Sequence, residues 1–329
     1  MALDWRGKVV AVTGAGGFIG SHLAERLVEL GADVRAMIHY NALGTYGWLD
    51  TSDLAGKMTI VAGDVTDADS VRDLVRGADT VFHLAALIAI PYSYRAPASY
   101  VRTNVEGTLH VMQAAREFGV RRVLHTSTSE VYGTARIVPI DENHPLQGQS
   151  PYSATKIGGD KIAESYHLSF GVPVVTVRPF NTFGPRQSAR AVIPTIITQA
   201  LAGETVRLGS LRPTRDLNFV SNTVDGFVAA GEHDAAVGQT VNLGSGREIS
   251  IGDLADLIGR IAERPVKVES DEARLRPDAS EVERLLADNT KARRLLDWEP
   301  RVTLEDGLGR TIEWIAAHME RYRPGVYVV

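Results

Sequence analysis

Short apolar runs alternate with helically spaced apolar residues along the first half of the chain. The runs are rich in β-branched residues and predict strands over residues 8–13, 33–38, 58–61, 80–84, 122–127 and 172–178. Helical spacing predicts helices over residues 18–30, 67–76, 99–118 and 152–170. Strands that alternate with helices, and that are apolar throughout, indicate an α/β fold with a doubly wound parallel sheet.

The alternation weakens after about residue 180, where prolines recur. Shorter helices are predicted over residues 192–202, 222–232, 250–261 and 304–321. We therefore expect a first domain over residues 1–180, joined by a returning segment near 216–243. The rest of 181–329 is expected to form a smaller, discontinuous C-terminal α/β substrate-binding lobe. No long linker separates the two parts, so we expect a cleft between them, a common place for ligands.

Composition narrows the classes of function. The 329 residues carry a net charge of −5, so there is no overall attraction to nucleic acid or anionic membranes. The chain has no cysteine, which excludes disulfides, thiolate catalysis and cysteine-bound metal. The first eight residues lack a signal core, and the longest apolar run, 80–92, is shorter than the roughly 20 residues of a membrane span. We expect a cytoplasmic protein without nucleic-acid or membrane partners.

A glycine motif follows the first predicted strand. Gly14, Gly17 and Gly20 are spaced G-x-x-G-x-x-G and lead into a helix that begins with Phe18 and Ile19. Glycines let the backbone approach a pyrophosphate, and the helix N-terminus offers free N–H groups. A glycine-rich turn without a ligand is the alternative, but the strand–loop–helix context favours a dinucleotide. Residues 1–180 are thus predicted to be a Rossmann-type NAD(P)-binding domain.

The choice between NAD and NADP is less clear from the sequence. The second strand ends at His39, without the acidic residue that normally binds the adenosine ribose and without an arginine for a 2′-phosphate. We expect NAD and leave NADP open. Asp64, after the third strand, is either an adenine contact or a helix cap.

Tyr152 and Lys156 are four residues apart, which places them on one face of the predicted helix. A nearby ammonium is expected to lower the pKa of the phenol, so that Tyr152 can remove a proton from an alcohol while a nicotinamide accepts the hydride. An exposed surface pair is the alternative. Thr128, Ser129 and Glu130 follow the strand 122–127, at the edge that faces ligands in a parallel sheet. Simple alcohol oxidation does not need the carboxylate of Glu130.

Seven motifs together resemble the extended short-chain dehydrogenase/reductase family: TGAGGFIG (13–20), HLAA (83–86), TNVEGT (103–108), STSEVYG (127–133), YSATK (152–156), RPFNTFGPR (178–186) and TRD (214–216). Within that family the chain resembles NAD-dependent nucleotide-sugar 4,6-dehydratases. The type it is most similar to is the legionaminic-acid pathway enzyme, which acts on UDP- or GDP-linked N-acetylglucosamine.

This resemblance implies a role for each residue. Tyr152 takes the proton of the sugar 4-hydroxyl, Thr128 hydrogen-bonds the same oxygen, and Glu130 removes the C5 proton before water leaves C6. Lys156 is expected at the nicotinamide ribose, and Asn104 is expected to hold the active-site helix and a water. The remaining expected cofactor contacts are Val65, Leu84, Ala85 and Ala86.

Ser129 departs from the glucose-specific dehydratases, which have Thr-Asp-Glu at this point. Their aspartate protonates the leaving hydroxyl, and serine is a poor acid. The resemblance therefore implies that Glu130 serves as both base and acid. GDP-mannose dehydratases share Thr-Ser-Glu, so dehydration is still expected, but a dTDP-glucose enzyme of the usual kind is not.

The resemblance also implies a binding site for the substrate diphosphate. Asn181, Arg215 and Arg276 match the expected amide and guanidinium groups, and Arg190 is a further candidate. Surface salt bridges are the alternative for each arginine. Ile88 and Tyr94 are expected at the sugar end, or in a merely packed loop.

Other functions remain open at this point. A nucleotide-sugar 4-epimerase would use the same tyrosine, lysine and NAD, a 5,6-dehydratase is a variant, and a dinucleotide-sensing regulator is a non-enzymatic alternative. The histidines show no metal-ligand spacing, so no metal is expected. The resemblance implies a homodimer through the helices predicted at 99–118 and 152–170.

Overall fold

The computed structural model describes residues 3–203 and 205–326. The described strands are β1 (Val9–Thr13), β2 (Asp33–His39), β3 (Thr59–Gly63), β4 (Thr80–His83), β5 (Arg122–Thr126), β6 (Val174–Pro179), β7 (Asn181–Phe183), β8 (Thr205–Leu208), β9 (Thr214–Phe219), β10 (Thr240–Leu243), β11 (Glu248–Ser250), β12 (Lys267–Ser270) and β13 (Arg284–Leu285). The described helices are α1 (Phe18–Glu29), α2 (Ala68–Val75), α3 (Ile90–Arg95), α4 (Pro97–Tyr100), α5 (Gly107–Glu117), α6 (Pro151–Phe170), α7 (Val192–Ala202), α8 (Val220–Glu232), α9 (Ile251–Ile261), α10 (Thr290–Leu296) and α11 (Leu304–Ala317).

Seven parallel strands form the main sheet in the order β10-β6-β5-β4-β1-β2-β3. The predicted doubly wound Rossmann-type sheet is therefore confirmed. The strand order reverses between β1 and β4, and ligands of such sheets bind in the crevice at the carboxyl ends of the strands at this point. β10 lies beside β6, at the edge of the sheet opposite β3.

Two apolar layers cover the sheet. On one face α1 and α8 bury residues such as Leu23 and Phe227 in the larger core cluster. On the other face α2, α5 and α6 bury residues such as Val71, Val111 and Ala163. Burial on both faces explains why the strand sequences are apolar throughout rather than alternating.

The second lobe contains the short strands that follow β6, apart from β10, which belongs to the main sheet. β9 pairs with β7, β11 and β13, and β8 pairs with β12. The sequence analysis did not predict these strands, because two to six residues give too little periodicity and most of their partners are distant in sequence. In the described part of the chain, no helix has the length and apolar character that crossing a bilayer requires.

The predicted helix over residues 99–118 is interrupted. It consists of α4, a π-helical turn over Val101–Glu106, and α5. The predicted helix over 304–321 ends at Ala317, and residues Met319–Arg321 form a 3₁₀ turn instead. π turns inside helices are frequent at functional sites, and this one contains Asn104.

Candidate active site

A cavity of about 1150 Å³ lies where the carboxyl ends of the main-sheet strands face the second lobe. Nearly all the residues expected at the site line this one cavity: Gly14, Gly17, Phe18, Ile19, Gly20, His39, Asp64, Val65, Leu84, Ala85, Ala86, Ile88, Thr128, Ser129, Glu130, Tyr152, Lys156, Asn181, Arg190, Arg215 and Arg276. Asn104 and Tyr94 are not part of the lining. Residues up to 262 positions apart in sequence therefore contribute to a single site.

The glycine loop is packed too closely for larger residues. Gly14 has φ +71°, and a Cβ on Gly20 would lie 2.1 Å from the Gly14 carbonyl oxygen. The N-cap of α1 is Gly17, which has no side chain to accept hydrogen bonds from the first N–H groups of the helix. The residues of this first turn line the cavity. Free N–H groups at a helix N-terminus, approached by a bare backbone, fit a dinucleotide pyrophosphate.

His39 and Asp64 lie together at the ends of β2 and β3, with His39 Nε2 3.4 Å from Asp64 Oδ2. Asp64 Oδ1 accepts a hydrogen bond from the Thr66 amide. α2 is capped by Asp67 and not by Asp64. The helix-cap alternative for Asp64 is therefore wrong, and its carboxylate is left beside His39 in the cavity wall.

Asn104 is almost completely buried within the π turn. Its Oδ1 accepts from the Leu87 amide at 2.9 Å, and its Nδ2 donates to the Leu87 carbonyl and to Thr155 Oγ1. These three hydrogen bonds join the loop after β4 to α6. Asn104 thus holds the helix that carries Tyr152 and Lys156. We also expected Asn104 among the cofactor contacts, but its amide is used in these three hydrogen bonds and does not line the cavity.

α6 places Tyr152 and Lys156 on the cavity side of its first two turns. Ser150 caps the helix and forms a capping box with Ser153, which sets where the helix begins. Lys156 Nζ donates to the Thr126 carbonyl at the end of β5, at 2.5 Å. Burial lowers the pKa of Lys156 to about 8, and the charge on Asp160 opposes this shift.

The expected lowering of the Tyr152 pKa is wrong for the protein by itself. Burial raises the pKa of this phenol; the nearby charge on Glu130 adds to the rise, and a hydrogen bond with Thr128 opposes it. The Lys156 ammonium instead bonds a backbone carbonyl. In the free protein the phenol is therefore protonated at neutral pH.

The turn Ser129–Tyr132 follows β5 and aims Glu130 at the cavity. Thr128 caps the turn, and its Oγ1 accepts from the Glu130 amide at 3.2 Å. Glu130 is half-buried, whereas Ser129 is almost completely buried. The charge on Glu130 acts on both Tyr152 and Arg215, so this carboxylate lies between the phenol and the second lobe.

The second lobe supplies two buried or half-buried cations and one amide. Arg215 Nη2 and Arg276 Nη1 lie 3.2 Å and 3.5 Å from the same atom, Glu281 Oε1. Asn181 Oδ1 is buried and has no hydrogen-bond partner among the described residues. The two guanidinium groups are suited to an anionic ligand, and the Asn181 amide lines the same cavity with its acceptor oxygen available to a donor of that ligand.

The remaining expected substrate contacts differ in position. Ile88 is 59% exposed at the cavity wall, and the exposed Arg190 bonds Ser188 Oγ at 3.2 Å. The Tyr94 hydroxyl lies 2.6 Å from Ser280 Oγ, outside the cavity. Tyr94 therefore joins the first domain to the second lobe in this structure.

Sequence reasoning missed two residues of the site, and it gave no account of the contacts of Trp48, in the loop 41–53 expected to shape the site. Asp160 is buried and lies one turn beyond Lys156 in α6. Its spacing of four residues from Lys156 could have predicted that the two side chains lie on the same face of the helix. Glu281, which joins the two arginines, had no signal. Trp48, in the loop after β2, donates its amide to the Gly16 carbonyl and packs on Trp314 of α11. No group of three or more potential metal ligands occurs among the described residues.

Sequence comparison matches residues 11–311 to the family described as GDP-mannose 4,6 dehydratase. The chain belongs to this family. The UDP-glucose 4-epimerase of Mycolicibacterium smegmatis is 36% identical over 309 residues, which cover 92% of this chain and 97% of that protein. The dTDP-glucose 4,6-dehydratase of Streptomyces griseus is 34% identical over 320 residues, 95% of each chain.

Solved structures give the same picture. A dTDP-glucose 4,6-dehydratase from Streptomyces venezuelae, solved with NAD and TYD bound, matches with a TM-score of 0.86 and 29% identity. The match covers 95% of this chain and 98% of that one. The protein is thus an enzyme of the extended short-chain dehydrogenase/reductase group that comprises nucleotide-sugar dehydratases and epimerases.

Proposed function

We propose that the protein is a lyase, a nucleotide-sugar 4,6-dehydratase that converts UDP- or GDP-linked N-acetylglucosamine to the 4-keto-6-deoxy sugar. The observation that carries this proposal is Glu130, a carboxylate in the wall of the cavity that also holds Tyr152. Exchange of a hydride at C4 needs only the tyrosine and the cofactor. A carboxylate beside them supplies the second proton transfer that elimination requires.

Each proton in the proposed reaction has a residue to carry it. Tyr152, in its phenolate form, takes the proton of the 4-hydroxyl, and Thr128 orients that oxygen by a hydrogen bond. The chemistry that NAD supplies when bound is reversible hydride acceptance, taken from C4 and given back at C6. Glu130 removes the C5 proton, which the 4-ketone makes acidic. Glu130 would then pass this proton to the leaving 6-hydroxyl, because the buried Ser129 is not an acid. Once the hydride is back at C6, Glu130 would take up a proton from solvent and deliver it to C5, while Tyr152 releases its proton to solvent.

Arg215, Arg276 and Asn181 are proposed to bind the substrate diphosphate. The two guanidinium groups face the same cavity as Asn181, whose Nδ2 would donate to a phosphate oxygen while its Oδ1 accepts from a hydroxyl. Arg190 is proposed as a further contact at the cavity edge, with Ile88 at the sugar end. Bidentate hydrogen bonds from arginine suit phosphate oxygens, and a cleft lined by such cations offsets the overall negative charge of the chain.

NAD is proposed as the cofactor rather than NADP. The Asp64 carboxylate lies 3.4 Å from His39, at the end of β2 where a 2′-phosphate would be placed. A negative charge there repels a phosphate and accepts hydrogen bonds from ribose hydroxyls. Isothermal titration of the cofactor-free protein should show tighter binding of NAD than of NADP, and Asp64→Asn should narrow the difference. Equal affinities in the wild type would overturn this assignment.

A 4-epimerase is the second candidate, favoured by the 36% identity to the UDP-glucose 4-epimerase of Mycolicibacterium smegmatis. Incubation with UDP-, GDP- and dTDP-linked glucose and N-acetylglucosamine in heavy water separates the two. Dehydration gives a product that has lost one water and carries deuterium at C5. An isobaric product without deuterium indicates epimerisation and contradicts the proposal.

Glu130→Gln tests the role of the carboxylate within the working assay. The variant should stop elimination. Oxidation at C4 should continue, and it can be followed by the absorbance of the reduced form of the cofactor. Glu313→Gln on the exposed side of α11 is the matched control and should retain full turnover. Full turnover by Glu130→Gln would show that another group removes the C5 proton.

We further propose a homodimer formed through α5 and α6. Val101, beside these helices, is 46% exposed, whereas Met112 of α5 is buried in the core of the subunit. The face available for a partner is thus limited to the outer side of the pair. Light scattering after size exclusion should give twice the mass of one chain, and Val101→Glu should shift it to the monomer.

A further inference from the structure

Asp160 is a buried carboxylate that the reaction above does not use. It follows Lys156 by one turn of α6 and is 4% exposed. Its Oδ1 lies 3.0 Å from His125 Nε2, and its Oδ2 accepts from Ser127 Oγ at 2.8 Å and Arg178 Nη2 at 2.9 Å. An anion buried this deeply is stable only when it is fully paired, so these partners fix its position.

The same strand end binds Lys156. The Lys156 ammonium donates to the Thr126 carbonyl, and the side chains on either side of Thr126, His125 and Ser127, both bind Asp160. Two successive turns of α6 are therefore attached to three consecutive residues at the end of β5. Thr128 follows directly, so this attachment also sets the distance between Thr128 and the helix that carries Tyr152.

We propose that Asp160 is a positioning residue for the catalytic pair: its carboxylate fixes the end of β5 to which the Lys156 ammonium is bonded, and its negative charge supports the positive charge of that ammonium. This inference rests on the proposed function only for its catalytic consequence. The contacts themselves belong to the free protein.

The other groups around Lys156 do not take over this role. His83 of β4 and His125 of β5 are neutral, because burial lowers the pKa of both. A neutral His125 donates its Nε2 proton to Asp160, which agrees with the absence of a described partner for its Nδ1. Arg178 of β6 is a cation and also bonds the Tyr132 hydroxyl.

The two carboxylates near the catalytic pair, Glu130 and Asp160, act on different partners. Glu130, in the turn after β5, acts on Tyr152 and Arg215. Asp160 is the carboxylate whose charge opposes the burial of Lys156, which by itself lowers the pKa of the ammonium. Without Asp160, burial of Lys156 is unopposed.

Direct titration of Lys156 tests the proposal. The chain has six lysines, so selective ¹³Cε-lysine labelling gives a simple NMR spectrum, with Lys156→Met used to assign the Lys156 signal. Asp160→Asn should move the Lys156 titration midpoint down by about one pH unit or more. Ser127→Ala, which removes one hydrogen bond to Asp160 but leaves its charge, should leave the midpoint in place.

A folded Asp160→Asn protein with an unchanged Lys156 midpoint would overturn the proposal. If that variant does not fold because Arg178 loses its partner, Asp160→Asn combined with Arg178→Gln removes the unpaired cation and should show the same downward shift. With a substrate that the enzyme turns over, the pH at which the kcat profile stops rising should move down together with the Lys156 midpoint. Because the titration needs no substrate, a shifted midpoint without turnover on any sugar refutes the proposed function and not the role of Asp160.

Discussion

Arg215 Nη2 lies 3.2 Å from Glu281 Oε1 in the wall of the cavity, with both side chains largely buried. Arg276 lies on the same carboxylate oxygen, so a single anion partly neutralises two cations in the free protein. A diphosphate that binds here competes with Glu281 for both guanidinium groups. The two guanidinium groups are therefore already ordered in the free protein, which would favour binding of an anion at the proposed diphosphate site.

Arg215→Met should weaken nucleotide-sugar binding. A hydrogen bond to a charged group contributes about 1.5–3 kcal/mol, which corresponds to an increase in Kd on the order of 10- to 100-fold. Arg247→Met, which breaks the exposed pair with Glu305, is the matched control and should leave Kd unchanged. Equal affinity of Arg215→Met and the wild type in isothermal titration would remove Arg215 from the diphosphate site.

Tyr152→Phe should lower kcat by roughly 10²- to 10⁴-fold, since the proton acceptor for the 4-hydroxyl is lost. The affinity for NAD should remain, because the glycine loop and the ends of β2 and β3 are not altered. Tyr166→Phe on the same helix is the control for effects on α6. A parallel loss of activity in both variants would indicate a structural effect instead.

The slope of the pH–rate profile should change at about pH 8. Burial raises the pKa of Tyr152, so the fraction of phenolate grows as pH rises through the neutral range. The pKa of Lys156 is lowered to about 8, so its charge is lost above that value. We expect kcat/KM, measured with the released 4-keto sugar, to rise towards about pH 8 and to level off above it, because the further gain in phenolate is then offset by the loss of charged Lys156. A rate that does not rise below about pH 8, or that keeps rising well above it, would contradict these assignments.

Asp160 should contribute to stability in a pH-dependent way. Burial raises its pKa, but the His125 hydrogen bond and the Arg178 charge outweigh burial and lower the pKa to about 2, from an ordinary 3.8. A lowered folded-state pKa stabilises above about pH 4, and this stabilisation is lost as pH falls towards about 2. It amounts to on the order of 2 kcal/mol.

Urea unfolding at a series of acidic pH values checks this expectation. The free energy of unfolding should fall less steeply between about pH 4 and 2 in Asp160→Asn than in the wild type. Asp256→Asn, at an exposed position of α9, should keep the slope of the wild type. Identical slopes for all three proteins would show that Asp160 titrates normally in the folded state.

Gly20→Ala should abolish binding of the dinucleotide. Its Cβ would lie 2.1 Å from the Gly14 carbonyl oxygen, so the glycine loop must move away from the position that admits a pyrophosphate. Gly309→Ala in α11 is the matched control, because nothing lies within 4 Å of its Cβ and alanine favours a helix. NAD titration should separate the two variants, and normal binding by Gly20→Ala would contradict the predicted role of the loop.

Local sequence was sufficient to predict the main sheet and most of the residues that line the cavity. The alternation of strands and helices, the glycine spacing and the Tyr152–Lys156 interval are all short-range patterns. They predicted the parallel sheet, and the structure places these groups in one cavity. The boundaries of the six predicted strands differ from the observed ones by one or two residues.

The tertiary structure decided the electrostatics and the partners of the site. Asp160 meets Arg178 and His125, and Arg215 meets Glu281, through chain crossings that no local period encodes. Burial raised the Tyr152 pKa where spacing alone predicted a fall. In the π turn, the Asn104 side-chain amide forms hydrogen bonds with Leu87, after β4, and with Thr155 of α6. Local periodicity determines which residues form strands and helices, but desolvation and pairing depend on how distant segments pack together, and these set the charges at the site.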